Sequence, residues 1–283
     1  KPSKVTATTT TSSIKLTWPK TAGATGYRIF YKTANGWSVC VSSTTATAHT
    51  FNNLKSGLKF TLAVRPYIST NSGIVWSDYT QVSTATQPVK PASVTASQTT
   101  STLKLSWTPC SGATGYRIFR KSGNNWTAVV SNVTATSYSF KNLRAGSKFT
   151  LAVRPYIQTA NGVVWGDYTQ ITTATLPANV TAKVTTPAKG RVTLTWNAVS
   201  GADSYLVYYR VGNGAYQLYK TCTGVQNITF NNLKSGAKYT FAVRAITKTS
   251  TGNVYGGYNA AAVTGKEYLF RVRNTQSEMH PKC

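Results

Sequence analysis

Three tryptophans, Trp18, Trp107 and Trp196, stand 89 residues apart twice over, and each opens a segment that returns along the chain. The first, Trp18-Pro-Lys-Thr-Ala-Gly-Ala-Thr-Gly-Tyr-Arg-Ile-Phe, recurs at 107–119 and more loosely at 196–208. Asn53-Leu-Lys-Ser-Gly, Asn142-Leu-Arg-Ala-Gly and Asn232-Leu-Lys-Ser-Gly keep the same beat, followed by Phe60, Phe149 and Tyr239. A repeat this long is a whole small domain, well beyond the roughly 20–50 residues of a solenoid unit. The chain therefore reads as three copies of one module, and its function must be one that three copies in a row can perform.

The modules divide at 1–87, 88–176 and 177–265, which leaves 266–283 as a tail outside the repeat. Within that tail, 268–272 reads as the start of another strand, a segment pairing with a sheet edge, or vector-derived sequence. Lys1-Pro-Ser-Lys has no apolar leader and resembles the linker Lys90-Pro-Ala-Ser, so it reads as a cut within a linker. No apolar run approaches the ~20 residues that span a bilayer, so no membrane insertion is expected. Pro88, Pro91 and Pro177 stiffen short joints between the copies.

Inside a module, short alternating runs are parted by Gly, Asn, Ser and Pro. In the first copy they cover 5–10, 13–18, 27–32, 37–42, 48–52, 59–67 and 74–84. Seven runs at this spacing predict a two-sheet antiparallel sandwich. Period 2 sends Phe60, Leu62 and Val64 inward and Thr61, Ala63 and Arg65 outward. Tyr27, Ile29 and Tyr31 share one face, Arg28, Phe30 and Lys32 the other, and Trp18 closes a run with Ile14 and Leu16 inside.

Val-x-Ala at the start, Ile-x-Leu-x-Trp, Gly-Tyr-Arg-Ile-Phe, Asn-Leu-Lys-x-Gly-x-Lys-Phe-x-Leu-x-Val and a closing Thr-Ala-Thr resemble fibronectin type III domains. The resemblance covers about residues 2–265. It implies an all-β fold of three tandem seven-stranded immunoglobulin-like sandwiches. The Ser111-Gly-Ala-Thr-Gly-Tyr-Arg-Ile variant is most similar to repeats of secreted or surface proteins of Gram-positive gut bacteria, which implies an extracellular or cell-surface bacterial location. Phe60 and Phe149 stand where the family carries its corner tyrosine, kept only as Tyr239. Without that hydroxyl a hydrogen bond of about 1 kcal/mol is lost, so the first two corners are expected to hold by packing.

The formal charge is +26, and each module carries nine Lys or Arg and one Asp. Equal basicity in every copy belongs to the module rather than to a tail, and it predicts a polyanion nearby or a solubility role. The four cysteines do not recur at matching positions, so they form no disulfide framework. Unpaired thiols in an exported protein point to a reducing or anaerobic setting. Cys40 and Cys222, in strand-like runs, are expected to be buried small apolar residues.

Catalysis is nearly excluded by supply, and no enzyme is expected. Asp78, Asp167 and Asp203 are single carboxylates in separate modules, too few for paired acid–base work. A Cys40–His49 dyad is conceivable, but neither residue recurs. No metal or phosphate motif is present, so neither metal nor cofactor is expected.

What recurs is basic and aromatic. Arg28 and Arg117 lie on the third strand, and Arg65, Arg154 and Arg244 on the sixth. Trp76, Trp165 and Tyr255 open the last strand. Two readings stay open for this set. Stacked indole and guanidinium groups could be purely structural, through cation–π contact of about 0.5–1 kcal/mol. Alternatively the rings take a sugar face while the arginines meet sulfate, phosphate or carboxylate. The second makes Arg28, Arg65, Trp76, Arg117, Arg154, Trp165, Arg244 and Tyr255 candidate ligand-binding residues. The expected role is a multivalent adhesion array for anionic polysaccharide, teichoic acid or mucin-type glycan, with non-specific nucleic-acid binding at low salt. The alternatives are a structural spacer or self-associating filament subunit, and an accessory module of a carbohydrate-active enzyme.

Overall fold

The computed structural model of the chain describes residues 1–188, 190–234, 236–264 and 267–273. His280, Cys283 and most of the tail fall outside them. In the first copy the strands are β1 (Thr6–Thr9), β2 (Ile14–Thr17), β3 (Gly26–Thr33), β4 (Gly36–Thr44), β5 (Ala48–Phe51), β6 (Lys59–Thr70), β7 (Gly73–Trp76) and β8 (Thr80–Ala85). The second copy repeats them as β9 (Val94–Gln98), β10 (Leu103–Trp107), β11 (Gly115–Ser122), β12 (Asn125–Val133), β13 (Ser137–Phe140), β14 (Lys148–Thr159), β15 (Gly162–Trp165) and β16 (Thr169–Ala174). The third has β17 (Ala182–Ala188), β18 (Arg191–Trp196), β19 (Ser204–Val211), β20 (Gln217–Cys222), β21 (Asn227–Phe230), β22 (Lys238–Thr249) and β23 (Gly252–Thr264), followed by β24 (Glu267–Arg273).

Each copy makes a three-stranded and a five-stranded sheet. In the first they are β1-β2-β5 and β4-β3-β6-β7, with β8 also on β6. The second matches it strand for strand, and in the third the larger sheet runs β20-β19-β22-β23-β24. So 267–273 does pair with an edge: β24 lies antiparallel on the last residues of β23. By contact the chain gathers into two compact units, Lys1–Val94 with Ser106–Ser137 and Leu151–Gln170, and Thr95–Leu105 with Tyr138–Thr150 and Ile171–Cys283.

The run expected at 74–84 is two strands rather than one. Tyr67 faces Trp76 in β7, but Val64 faces Thr80 in β8, so one extra residue is accommodated between them. Pro66 lies at the break and has no N–H for the ladder. In the third copy Ala245 takes that place, and β23 runs unbroken through the same shift.

The predicted alternation places the core. In the first copy Ile14, Leu16 and Trp18 from one sheet meet Tyr27, Ile29, Leu62, Val64 and Val82 from the other. In the third, Val192, Leu194 and Trp196 meet Tyr205, Val207, Phe241 and Val243. Tyr31, predicted on the inward face, lies beyond the core and is 40% exposed. The buried phenol keeps one polar bond in every copy: Tyr27, Tyr116 and Tyr205 accept the N–H of Thr21, Cys110 and Val199 at 2.8–2.9 Å.

The corner is not held by packing alone. Thr86, fully buried, donates its hydroxyl to Lys55 O at 2.7 Å and accepts the Leu58 N–H at 3.0 Å. Thr175 does the same for Arg144 O and the Ser147 N–H. In the third copy Tyr239 accepts the Lys234 N–H at 3.1 Å. Lys234 is the counterpart of Lys55, so one turn residue is tethered by a threonine in two copies and by a tyrosine in the third. Cys222 and Cys110 are buried, but Cys40 is exposed, against expectation: it is the extra residue at a register shift on the edge strand β4, where its thiol donates to Ile29 O at 3.3 Å. Cys40 lies in the larger sheet and His49 in the smaller, where it meets Phe51 edge to face, so the two form no dyad.

Candidate functional site

β3 and β6 pair with Arg28 directly opposite Arg65, both side chains turned outward. Like charges so placed repel across a ladder. The pair is relieved by geometry. Arg28 donates its Nε–H to Ser42 O on β4 at 3.0 Å, and Arg65 donates its own to Ser77 O at 2.7 Å on the other side. The Trp76 indole takes both charges: Cζ of Arg28 is 4.5 Å and Cζ of Arg65 is 5.3 Å from its ring centroid.

The Arg65 bond reaches a carbonyl beside a proline but does not depend on it, since Arg244 makes the same bond where Ala245 stands in the proline's place. Ser77 donates its N–H to Pro66 O at 3.1 Å, and the return bond would need an N–H that proline lacks. The guanidinium supplies that donor. In the second copy Gly166 donates to Pro155 O at 3.0 Å, and Arg154 donates to Gly166 O at 2.8 Å. Arg244 likewise donates to Gly256 O at 2.8 Å.

A fourth residue of this face was missed by sequence reasoning. Tyr67 stands opposite Trp76, with ring centroids 5.2 Å apart, and shares a hydroxyl hydrogen bond with Ser43 at 2.6 Å. Its ring lies across Gly26, where a Cβ would come within 2.5 Å of the phenol oxygen. Tyr156 and Gly115 repeat the arrangement, and the third copy replaces both partners, with Ser204 facing Ile246. That covariation between glycine and tyrosine within one chain is the signal that could have found it.

The second copy reproduces the stack closely, with Arg117 at 4.7 Å and Arg154 at 5.3 Å from the Trp165 ring. One difference is that the Arg117 Nε is buried without a hydrogen-bond partner among the described residues. The third copy has Leu206 where the others have the first arginine, so Arg244 faces a leucine. Arg244 instead sits 4.5 Å from the rings of both Tyr255 and Tyr258 and donates Nη1–H to the Tyr258 hydroxyl at 2.9 Å. Burial first, and the neighbouring Tyr258 second, push the Tyr208 phenol beside them up to about 12. Arg210 lies over Tyr216 at 4.7 Å and does not join the set.

Arg28, Arg65 and Trp76 are all half-buried, so each offers one edge or ring face to solution while the rest is fixed. With Nε engaged, the Nη edges of the guanidinium groups are what an anion could meet, in the planar fork geometry suited to sulfate, phosphate or carboxylate. Charge is not confined to this sheet, since Lys15 and Lys104 are exposed on β2 and β10 of the opposite one. The arginine stacks on Trp76 and Trp165 lie on the larger sheet.

The fibronectin type III domain family matches residues 1–85, 87–175 and 176–255. Chitinase A1 of Niallia circulans is 30% identical over 159 residues, which is 51% of this chain and 21% of that protein. Human fibronectin type III domain-containing protein 7 is 24% identical over 205 residues, 71% of this chain and 27% of that protein. The chain thus spans less than a third of the length of either relative. Among solved structures, chicken CNTN1 FN1-FN3 domains align over 94% of this chain and 97% of that one, at 16% identity and a TM-score of 0.34.

Proposed function

The chain belongs to the fibronectin type III family, whose modules are generally non-catalytic and typical of extracellular proteins, and on that premise we propose that it is a multivalent binding array for anionic polymers. The observation that carries the reading is the twice-built stack of one indole against two arginines, on Trp76 and again on Trp165 at nearly the same distances. Nε–H bonds to backbone carbonyls hold Arg28, Arg65 and Arg154, so little side-chain entropy remains to be lost when an anion meets their outer edges. The ring face beside it suits a sugar. Arg244 with Tyr255 and Tyr258 forms a weaker third station with one arginine. Stations joined in one chain raise each other's effective concentration, so weak contacts add up on a polymer and not on a monomer. The counterparts of matching chemistry are teichoic acids, acidic polysaccharides and sulfated or sialylated mucin-type glycans, met by a bacterial surface or secreted protein.

A second reading is favoured by the chitinase match: the array serves as the accessory region of a carbohydrate-active enzyme. It shares the same face and differs in ligand, a neutral glycan in place of a polyanion.

The test is binding of the full chain to anionic polymers and neutral glycans, each titrated with salt. The informative variant is Arg28→Gln with Arg117→Gln, which keeps an N–H donor but removes charge. Lys15→Gln with Lys104→Gln removes equal charge from the opposite sheet. Loss of binding to one polyanion in the arginine pair alone supports the proposal. Equal weakening by both pairs would leave only generic charge attraction and a spacer role.

A further inference from the structure

A second pair of rings stands on the same outer face and takes no part in the arginine stack. Trp37, near the start of β4, pairs with Lys32 on β3, and its ring centroid lies 5.5 Å from that of Tyr79 just before β8. Trp126 pairs with Lys121 in the same way, 5.6 Å from Tyr168. The rings are tilted at 59° and 53°, so each pair forms an open angle and not a closed stack. Phe30 and Lys32 follow Arg28 on the same face of β3, two and four residues on, with Ala63 opposite Phe30. The ring pair therefore lies about 7–13 Å along the strand from the arginine pair.

The fold does not call for this pair. Ala63 and Ala152 face outward yet are buried, so neighbouring side chains of that face cover them. Ala242 is equally buried in the third copy, where the rings are arranged otherwise. There Tyr258, counterpart of Tyr79, lies 5.6 Å from Tyr208 and 4.5 Å from Arg244 Cζ, while Tyr216, counterpart of Trp37, carries Arg210. Covering the alanine is thus possible without the tryptophan and tyrosine pair. Tyr79 and Tyr168 also stay 44% and 41% exposed, so in both copies large apolar area is left in water.

Charge around these rings is mixed in sign, where the arginine rung is positive alone. Lys121 Nζ lies 6.0 Å from the Trp126 ring centroid, and Asp167 accepts the Tyr168 N–H at 2.8 Å and pairs with Lys90 at 3.8 Å. Asp78 precedes Tyr79 in the first copy. A carboxylate repels an anion but accepts sugar hydroxyls, and an exposed ring suits the apolar face of a pyranose. We infer that Trp37 with Tyr79, and Trp126 with Tyr168, each take a neutral sugar beside the anionic group met by the arginine pair. The fitting polymer is a heteropolysaccharide whose neutral sugars alternate with anionic units. A polymer charged at every unit, or at none, fills one station only. The inference rests on the array reading for the anion and adds the sugar subsite to it.

The indole N–H signals in proton–nitrogen NMR of the full chain separate the stations, each assigned by its substitution with phenylalanine. Trp76 and Trp165 report the arginine pairs, Trp37 and Trp126 the sugar subsites, and the buried Trp18, Trp107 and Trp196 the fold. The probes are polyphosphate, which is charge without sugar, and hyaluronan and gellan, in which acidic and neutral sugars share one chain. Both polysaccharides should shift Trp37, Trp76, Trp126 and Trp165, and polyphosphate only Trp76 and Trp165. Tyr79→Ala with Tyr168→Ala should weaken the polysaccharides about tenfold, leave polyphosphate binding unchanged and keep the three core signals in place. Trp37 and Trp126 unmoved by both polysaccharides, or polyphosphate weakened as much as they are, would overturn the inference. Trp76 and Trp165 unmoved by every probe, with Trp37 and Trp126 still responding to the polysaccharides, would overturn the arginine reading and leave the sugar subsite standing.

Discussion

Tyr67 and Gly26 share one place on the sheet: the phenol ring occupies the space that a side chain at residue 26 would fill. Gly26→Ala puts a methyl group within 2.5 Å of the ring oxygen, and the ring is held by Ser43 and Trp76. The substitution should destabilise the first copy by about 1–3 kcal/mol, as overpacking does. Adding Tyr67→Ile, the partner found opposite Ser204, should return most of it. A double-mutant cycle in urea reads the coupling directly.

Arg65→Lys keeps the charge but loses the Nε donor to Ser77 O. The bond is solvent-exposed, so water replaces the donor in part and a loss of about 0.5–1 kcal/mol is expected. Pro66→Ala restores a backbone N–H at that carbonyl and should recover part of the loss. Hydrogen exchange in β7 and β8 is the measurement. A charge-only role for Arg65 predicts no effect of either change.

Thr86→Val removes two hydrogen bonds from a fully buried corner and leaves Leu58 N–H and Lys55 O without them. The expected cost is about 1–3 kcal/mol. Phe60→Tyr on that background copies Tyr239 and should recover about 1 kcal/mol through the Lys55 N–H. Thermal melts of the parent chain and both variants would show it.

Asp203 has a displaced pKa. Burial raises it, but the Lys248 N–H and the Lys148 ammonium outweigh that and hold it below the ordinary value. A depressed folded-state pKa contributes stability that is present above the unfolded pKa and is lost as pH falls through the folded one. Asp203→Asn should therefore flatten the acid limb of the stability profile and leave the neutral-to-basic limb in shape. The contact is partly exposed, so salt should weaken its effect.

Burial raises the pKa values of the described thiols, Cys40, Cys110 and Cys222, and of these Cys40 alone is exposed. In a Cys283→Ser background one thiol should be alkylated in the native state, faster at higher pH, and two more only on unfolding. Mass spectrometry of the labelled chain identifies which.

The sequence alone determined the three copies, the two-sheet class and the inward rows such as Ile14, Leu16 and Trp18. Those follow from a repeat of whole-domain length and a side-chain period of 2, and both are local properties of the chain. It also placed Arg28 and Arg65 outward on neighbouring strands. It did not show that Tyr67 completes their face, that the last strand is split opposite Pro66, or that Thr86 replaces the corner tyrosine. Each depends on which residue stands across a ladder or a turn, and strand register is set by tertiary packing. The tertiary structure alone decided that Cys40 is exposed while Cys110 and Cys222 are buried. Exposure depends on which neighbouring surface covers a residue, and strand pairing sets that rather than the local letters.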